Sequence, residues 1–248
     1  MANQPLADFE QILANQKALG KRFLWLLLVP FVLTAIMVGM FFVITSRLTD
    51  VEVLTKRMNI DRYLEMEGNY IWAVRGYEEI AKTHPSASVL ARLGVLYFQA
   101  DPKNEKAAIE TLDRAKGLDP NNWEVYRSLT YIYTATNRPK DAIEAGQKAL
   151  ALNDVDSGTY NNLAWSFATT SDENLRNLQL AETYALKAID LTRDKHAEYF
   201  DTLARVYVAK GERDQAIQAF RSAIALASQR DLQTYQKHLK QYFPNESL

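Results

Sequence analysis

The sequence predicts an all-α protein: a superhelical solenoid of about five helix pairs with a capping helix, preceded by one N-terminal transmembrane helix. Two observations lead to this prediction. The pattern Y-x-x-x-G-x-x-x-x-A-x-x-x-F-x-x-A occupies Tyr207 to Ala223 and returns in weaker copies upstream. The stretch from Phe23 to Ile44 contains no charged residue. The first is typical of two short helices joined at a glycine, and the second is long enough to cross a bilayer.

A small residue near the start of each second helix recurs at regular intervals. It is found at Ala73, Ala108, Ala142, Ala181 and Ala216, and the intervals are 35, 34, 39 and 35 residues. A later contact residue keeps the same register, at Ile80, Ala115, Ala149, Ala188 and Ala223. An aromatic residue recurs in the first helices at Tyr97, Tyr133, Phe167 and Tyr207. Because an isolated helix pair leaves an apolar face open, pairs of this kind are expected to stack.

This pattern resembles the tetratricopeptide-repeat family, whose period is about 34 residues. The resemblance implies units at about 54–86, 87–122, 123–156, 157–196 and 197–230, within an array that with its helical lead-in covers residues 45–230. Residues 231–248 then form a capping helix and tail. Asp154 stands where proline is usual. Because no proline ends the helix there, the last helix of the third copy can continue into the next helix. The longer interval before Ala181 predicts an insertion near Ser171 to Asn177.

The chain before the repeats divides at the start of the apolar stretch. Residues 1–22 have only a narrow apolar face, which favours a solvated cytoplasmic segment over a helix that lies on the membrane or grips a partner. Residues 23–44 are predicted to form a transmembrane helix, because a cleaved signal peptide has a shorter apolar core of about 7–15 residues. Pro30 can kink this helix. Ala35 and Gly39 form a small-x-x-x-small step at which another helix can pack closely.

The orientation of this span rests on its flanking charges. The positive residues on the two sides are equal in number, but Lys21 and Arg22 abut the apolar stretch while Arg47 stands alone beyond it. Because positive charge is retained in the cytoplasm, the N-terminus is expected inside and the repeats outside. In a bacterial inner membrane, which the layout favours, the repeats would be periplasmic.

Composition and motifs exclude several classes of function. The net charge of −1 gives no basic surface for nucleic acid, and the absence of cysteine excludes thiolate chemistry and disulfides. Motifs for nucleophilic, metal-dependent or phosphate-binding sites are absent. The histidines, at positions 84, 196 and 238, fall in separate repeats or the cap. The sequence therefore predicts no enzyme, no cofactor, no metal and no small-molecule substrate.

The first helices of stacked pairs line the concave side of a superhelix. Helical projection places these partner-binding candidates there: Arg92, Phe98, Arg127, Tyr131, Asn161, Asn162, Trp165 and Arg205. Arginine forks bind carboxylates, asparagine amides can hold an extended peptide backbone, and large aromatic residues act as anchors. Tyr131 and Trp165 are also compatible with packing between helices, and the arginines with only solvating the groove, so both interpretations remain open at this point.

The resemblance implies a protein partner, and two functions follow. The first is a membrane-anchored scaffold or assembly adaptor that binds partner segments in the concave groove during assembly or maturation of a membrane or envelope complex. In layout the chain resembles single-span repeat proteins of bacterial cytochrome c maturation and envelope biogenesis. The alternative is a permanent accessory subunit of a large membrane complex, held by the span and by repeat contacts. The polar, aromatic groove favours the first, and Pro30 with the Ala35–Gly39 step favours the second.

Overall fold

A computed structural model describes residues 4–193 and 195–246, except for the side chains of residues 4–10, 12–14, 16 and 18–30. Within this part of the chain all regular structure is helical. The α-helices are α1 (Gln4–Glu67), α2 (Tyr70–Thr83), α3 (Ala87–Ala100), α4 (Glu105–Leu118), α5 (Trp123–Ala135), α6 (Pro139–Leu152), α7 (Ser157–Thr169), α8 (Leu178–Leu191), α9 (Ala197–Lys210), α10 (Arg213–Leu226) and α11 (Leu232–Tyr242).

The chain divides into two units, residues 1–59 and residues 60–248. The first unit consists of most of α1, and the large apolar side chains between Phe31 and Ile44 are 48–77% exposed. An 18-residue window of this helix has a mean hydropathy of 2.0 with none of it buried, so length and composition suit a membrane span. Ala35 and Gly39 are exposed on this helix. The side chain of Pro30 lies outside the described residues.

The second unit is a stack of five helical hairpins, as the repeat pattern predicts. Each hairpin pairs a first helix with a second, in the order α1–α2 (from Ile60 onward in α1), α3–α4, α5–α6, α7–α8 and α9–α10. The recurring alanines at the start of the second helices are all fully buried: Ala73, Ala108, Ala142, Ala181 and Ala216. Their small side chains let two helix backbones approach closely, which explains why the period appears in the sequence.

Turn residues and caps set where the hairpins begin and end. Gly68 and Gly211 have φ values of 66° and 78° and join the helices of the first and fifth hairpins. Asn137 takes the same left-handed conformation in the third hairpin, with φ of 55°. The left-handed region suits glycine and is tolerated by asparagine, so these turns follow from their residue types. Pro85 and Pro120 lie in the connections between hairpins, outside the helices on either side.

The helix boundaries around the fourth hairpin differ in one respect from the prediction. The third copy does not run on into the next helix, because α6 ends at Leu152 and α7 begins at Ser157. The Asp156 carboxylate accepts a hydrogen bond from the backbone N–H of Thr159, at 2.9 Å, and so starts α7 without the usual proline. The insertion before Ala181 is confirmed as a loop between Thr169 and Leu178.

The packing between hairpins places the first helices on the inner side of the stack. α3 packs against α5, α5 against α7, and α7 against α9, whereas consecutive second helices make no comparable contacts within the described residues. Since helices that touch are closer together than helices that do not, the stack curves toward the first helices. α11 then covers the last hairpin, where Leu239 is fully buried and the ring of Tyr242 stacks on Phe220 at 5.9 Å.

Candidate protein-interaction groove

We use the term groove for the surface formed by the inner layer of first helices. Tyr131, on α5, lies at the centre of this layer. The ring of Tyr131 meets Phe98 edge to face, with 6.0 Å between the ring centres. Its hydroxyl interacts electrostatically with Tyr70, Arg92 and Glu198, which belong to the first, second and fifth hairpins. Burial raises the pKa of Tyr131. The groove therefore brings residues from distant repeats around one half-buried aromatic side chain.

Phe98 is buried beneath the groove surface instead of facing a partner. Only 6% of this residue is exposed, and its ring supports Tyr131 from below. The prediction that Phe98 contacts a partner directly is not favoured by this position. Its side chain packs beneath Tyr131.

Arg92 is held by a carboxylate of the neighbouring hairpin. Its Nε and Nη2 atoms donate to Asp61 Oδ1 at 3.0 and 2.8 Å. The hydroxyl of the buried Tyr77 donates to the other carboxylate oxygen at 2.8 Å. The guanidinium expected to bind a partner carboxylate thus already binds one that lies 31 positions earlier in the same chain.

Arg205 is fixed even more completely. Its Nε donates to Asp201 Oδ2 at 3.0 Å, and its Nη1 donates to the Tyr242 hydroxyl at 3.2 Å. The guanidinium also lies over the indole of Trp165, with 4.9 Å from Cζ to the ring centre. His238 completes the network through a 2.8 Å contact between its Nδ1 and Asp201 Oδ1. The fourth hairpin, the fifth hairpin and the capping helix therefore meet at Arg205.

Arg127 is the least constrained of the three predicted groove arginines. Its Nη1 lies 3.8 Å from Asp156 Oδ1, which is too long for a strong hydrogen bond, and 43% of its side chain is exposed. The guanidinium lies 5.2 Å from the ring centre of Trp123, a neighbour on the same helix. Of the predicted arginines, Arg127 has the most donor capacity left for another molecule.

The groove also contains amide oxygens without hydrogen-bond partners. Asn161 and Asn162 are half-buried on α7. Among the described residues, Asn161 Oδ1 and Gln99 Oε1 are buried acceptors with no donor. Because both oxygens are shielded from solvent, they do not face an incoming partner in this conformation.

The structure thus brings five of the eight predicted groove residues into two connected groups. One consists of Arg92, Phe98 and Tyr131, and the other of Trp165 and Arg205 with α11. Sequence reasoning missed Asp61, Gln99, Glu198 and Tyr242. A signal for Glu198 was available, because it precedes Asp201 and Arg205 by three and seven positions on α9 and so shares their face. The described residues hold no cluster of three or more potential metal ligands.

Five stacked hairpins with an inner layer of first helices define a helical-repeat solenoid, a class whose concave face is a binding surface. Residues 197–230, the fifth hairpin, match the family described as Tetratricopeptide repeat. Proteins with this fold are generally non-enzymatic scaffolds for protein–protein interaction, and protein binding is the function that the fold supports.

Solved structures share this fold at low sequence identity. TTC0263, a tetratricopeptide-repeat protein of Thermus thermophilus, is 20% identical with a TM-score of 0.60, over 74% of this chain and 98% of that chain. PilF of Pseudomonas aeruginosa is 19% identical with a TM-score of 0.58, over 79% and 94% of the two chains. MamA of Desulfovibrio magneticus is 20% identical with a TM-score of 0.51, over 68% and 92%. Comparison with curated protein sequences gave no match.

Proposed function

We propose that this protein is a membrane-anchored scaffold that binds a segment of a partner protein in its groove during assembly or maturation of a membrane or envelope complex. The observation that supports this proposal is that Trp165 and Tyr131, on the first helices α7 and α5, are half-buried aromatic residues in contact with Arg205 and Phe98. Aromatic anchors that are partly exposed in a concave surface dominate the energy of many protein interfaces.

The contacts around these anchors support binding without rearrangement. Arg205 fixes the indole of Trp165 from one side, and Phe98 supports the ring of Tyr131 from another. A side chain that is already held in place loses little conformational entropy when a partner binds. The exposed guanidinium of Arg127 adds a hydrogen-bond donor for the backbone of an extended segment.

The exposed apolar side chains of α1 support the membrane anchor. A helix that keeps such side chains exposed from Phe31 to Ile44 needs an apolar environment around it, and a bilayer core provides one. The Lys21–Arg22 pair next to the apolar stretch supports an N-terminus in the cytoplasm, with the repeats in the periplasm of a bacterial inner membrane.

A second candidate function is that of a permanent subunit of a large membrane complex. The observation that favours it lies on α1 beyond the apolar stretch, where Leu48, Val51, Leu54 and Met58 are 53–64% exposed. These residues recur every three or four positions, which is the spacing of one helix face. Such a face suits a fixed contact with another helix.

Binding to the groove is tested by purification of the full-length protein from its native membrane in mild detergent. We expect partner proteins to co-purify with the wild-type chain and to be lost with Trp165→Ala or Arg127→Ala. Leu186→Ala is the matched control, because Leu186 is an exposed apolar residue on the second helix α8. Retention of every partner by both groove variants would contradict the proposal.

The two candidate functions are separated by a double variant of α1. Leu48→Asn with Met58→Asn makes the exposed face of α1 polar without touching the groove. A permanent subunit is expected to lose its partners in this variant and to keep them in Trp165→Ala. A groove-binding scaffold is expected to behave in the opposite way.

A further inference from the structure

Glu198 is an acidic residue whose position in the groove follows from the pairing of α9 with the capping helix. Asp201 contacts His238, and Arg205 contacts Tyr242, each across 37 positions. Because both contacts join residues that are 37 positions apart, α9 and α11 run parallel. One helical turn earlier, the same offset places Glu198 beside Tyr235, and the two residues interact electrostatically.

Several other carboxylates on the inner face already have cationic partners, although Glu124, three positions before Arg127 on α5, has none among the salt bridges of the described residues. Asp61 is bound by Arg92, and Asp201 is bound by Arg205 and contacted by His238. Asp156 caps α7 and lies 3.8 Å from Arg127. Glu198 takes part in none of the salt bridges of the described residues, although its side chain is exposed to the groove. It is therefore an unneutralised negative charge on the binding surface.

The surroundings of Glu198 make that charge costly without a partner. Although the residue as a whole is exposed, its carboxyl group is partly desolvated, and Asp231 acts on it as a second negative charge. His196, which immediately precedes α9, is the neighbour that favours ionisation. Electrostatic interactions are stronger in such a partly desolvated place than in bulk water, so a cation that enters would gain more there than at an open surface.

The aromatic ring of Tyr235, beside Glu198, favours the same type of ligand. Lysine and arginine side chains donate several hydrogen bonds and also interact favourably with aromatic faces such as that of Tyr235.

We propose that the groove recognises a lysine or arginine side chain of its partner through the carboxylate of Glu198, with Tyr235 as a neighbouring contact. The inference rests on the proposed function, namely that the groove binds a partner segment, and it specifies the charge of that segment. The groove arginines alone had predicted an acidic partner segment. A basic segment is expected instead, because Arg92 and Arg205 are neutralised within the chain.

The test is a selection of random 12-residue peptides on the full-length protein in detergent. Peptides enriched by the wild-type protein are expected to share one lysine or arginine. Glu198→Lys is expected to select aspartate or glutamate at that position. For a selected peptide, Glu198→Gln is expected to weaken binding about tenfold, the effect of losing one charged hydrogen bond. Glu144→Lys, at an exposed position on the second helix α6, is the matched control and should select as the wild type does.

The outcomes separate this inference from the proposed function. Enriched peptides without a common basic residue, whose binding is lost in Trp165→Ala, would overturn the inference and leave the groove function standing. Peptides that bind equally to wild type and Trp165→Ala would overturn both. Circular dichroism of Glu198→Gln and Glu198→Lys checks that each variant keeps the helical content of the wild type.

Discussion

The guanidinium of Arg205 lies over the indole ring of Trp165, with Cζ 4.9 Å from the ring centre, and joins the inner helices of the fourth and fifth hairpins. The same guanidinium bonds to Asp201 and Tyr242. One contact therefore both stabilises the end of the array and fixes an anchor of the groove. Variants at Arg205 are expected to change stability, whereas those at Arg127 and Glu198 report more directly on binding.

Replacement of Arg205 by methionine is expected to destabilise the fifth hairpin and the cap. The change leaves the Asp201 carboxylate, which is 9% exposed, without its arginine, and the lost charged hydrogen bonds correspond to about 2 kcal/mol. Arg205→Lys should not restore the loss, because lysine lacks the planar fork that serves both Asp201 and Trp165. Chemical denaturation followed by circular dichroism measures the change.

Arg221→Met is the control for that experiment. Arg221 belongs to the same hairpin, but its pair with Glu246 is solvent-exposed, with 51% of the arginine side chain accessible. Exposed pairs contribute about 0–1 kcal/mol. Equal effects of Arg205→Met and Arg221→Met would show that the Arg205 network does not hold the cap.

Gly94→Ala is expected to destabilise the second hairpin, although alanine is ordinarily the better helix former. An added Cβ would lie 2.9 Å from Leu112 Cγ and 3.0 Å from the backbone oxygen of Ala108. The backbone cannot move away easily, so a loss of about 1–3 kcal/mol is expected. Gly117→Ala is the control, because its Cβ would meet nothing within 4 Å. That variant should gain up to about 1 kcal/mol, and thermal melting of both decides the sign.

Tyr77→Phe is expected to loosen the first hairpin. Tyr77 is fully buried, and its hydroxyl donates to Asp61, the carboxylate that also holds Arg92. Loss of this bond should lower the free energy of unfolding by about 1 kcal/mol. Tyr63→Phe is the control, because Tyr63 is an exposed residue that keeps its ring contact with Trp72 at 4.4 Å. A loss from Tyr63→Phe as large as that from Tyr77→Phe would argue against a specific role for the Asp61 bond.

Stability is expected to respond to pH through Glu198. Burial in the groove raises the pKa of Glu198 above its ordinary value of 4.5, and Asp231 adds to the shift while His196 opposes it. Because the pKa is higher in the folded chain than in the unfolded chain, the contribution of Glu198 to stability is fully present below the unfolded value. It is lost as the pH rises through the folded value.

Glu198→Gln isolates this contribution. The variant should melt at the wild-type temperature near pH 4, where Glu198 is largely neutral, and at a higher temperature at pH 7, where ionisation weakens the wild-type fold. Melting curves from pH 4 to pH 7 measure the difference. A variant that is less stable than the wild type at pH 7 would mean that the Glu198 carboxylate stabilises the free groove, contrary to the argument from its raised pKa.

The repeat pattern allowed the hairpins to be predicted closely, because the residues that define it act locally. Ala142 and Gly146 lie one turn apart and are buried where α6 meets a first helix. Because this position requires small residues, they recur in the sequence and reveal the repeat. The sequence left open whether the third copy runs on into α7, because Asp156 supplies a cap by a hydrogen bond in place of the proline that usually marks the boundary.

The sequence by itself determined that this chain is an all-α repeat protein with an apolar N-terminal helix, since periodicity and composition follow from residue order alone. Only the tertiary structure decided which groove charges remain available. Arg92 meets Asp61 across 31 positions and Arg205 meets Tyr242 across 37, and these offsets differ because they depend on how each hairpin packs on the next. Ion pairs between repeats are set by that packing, so Glu198 could be distinguished from its neighbours only once the helices were in place.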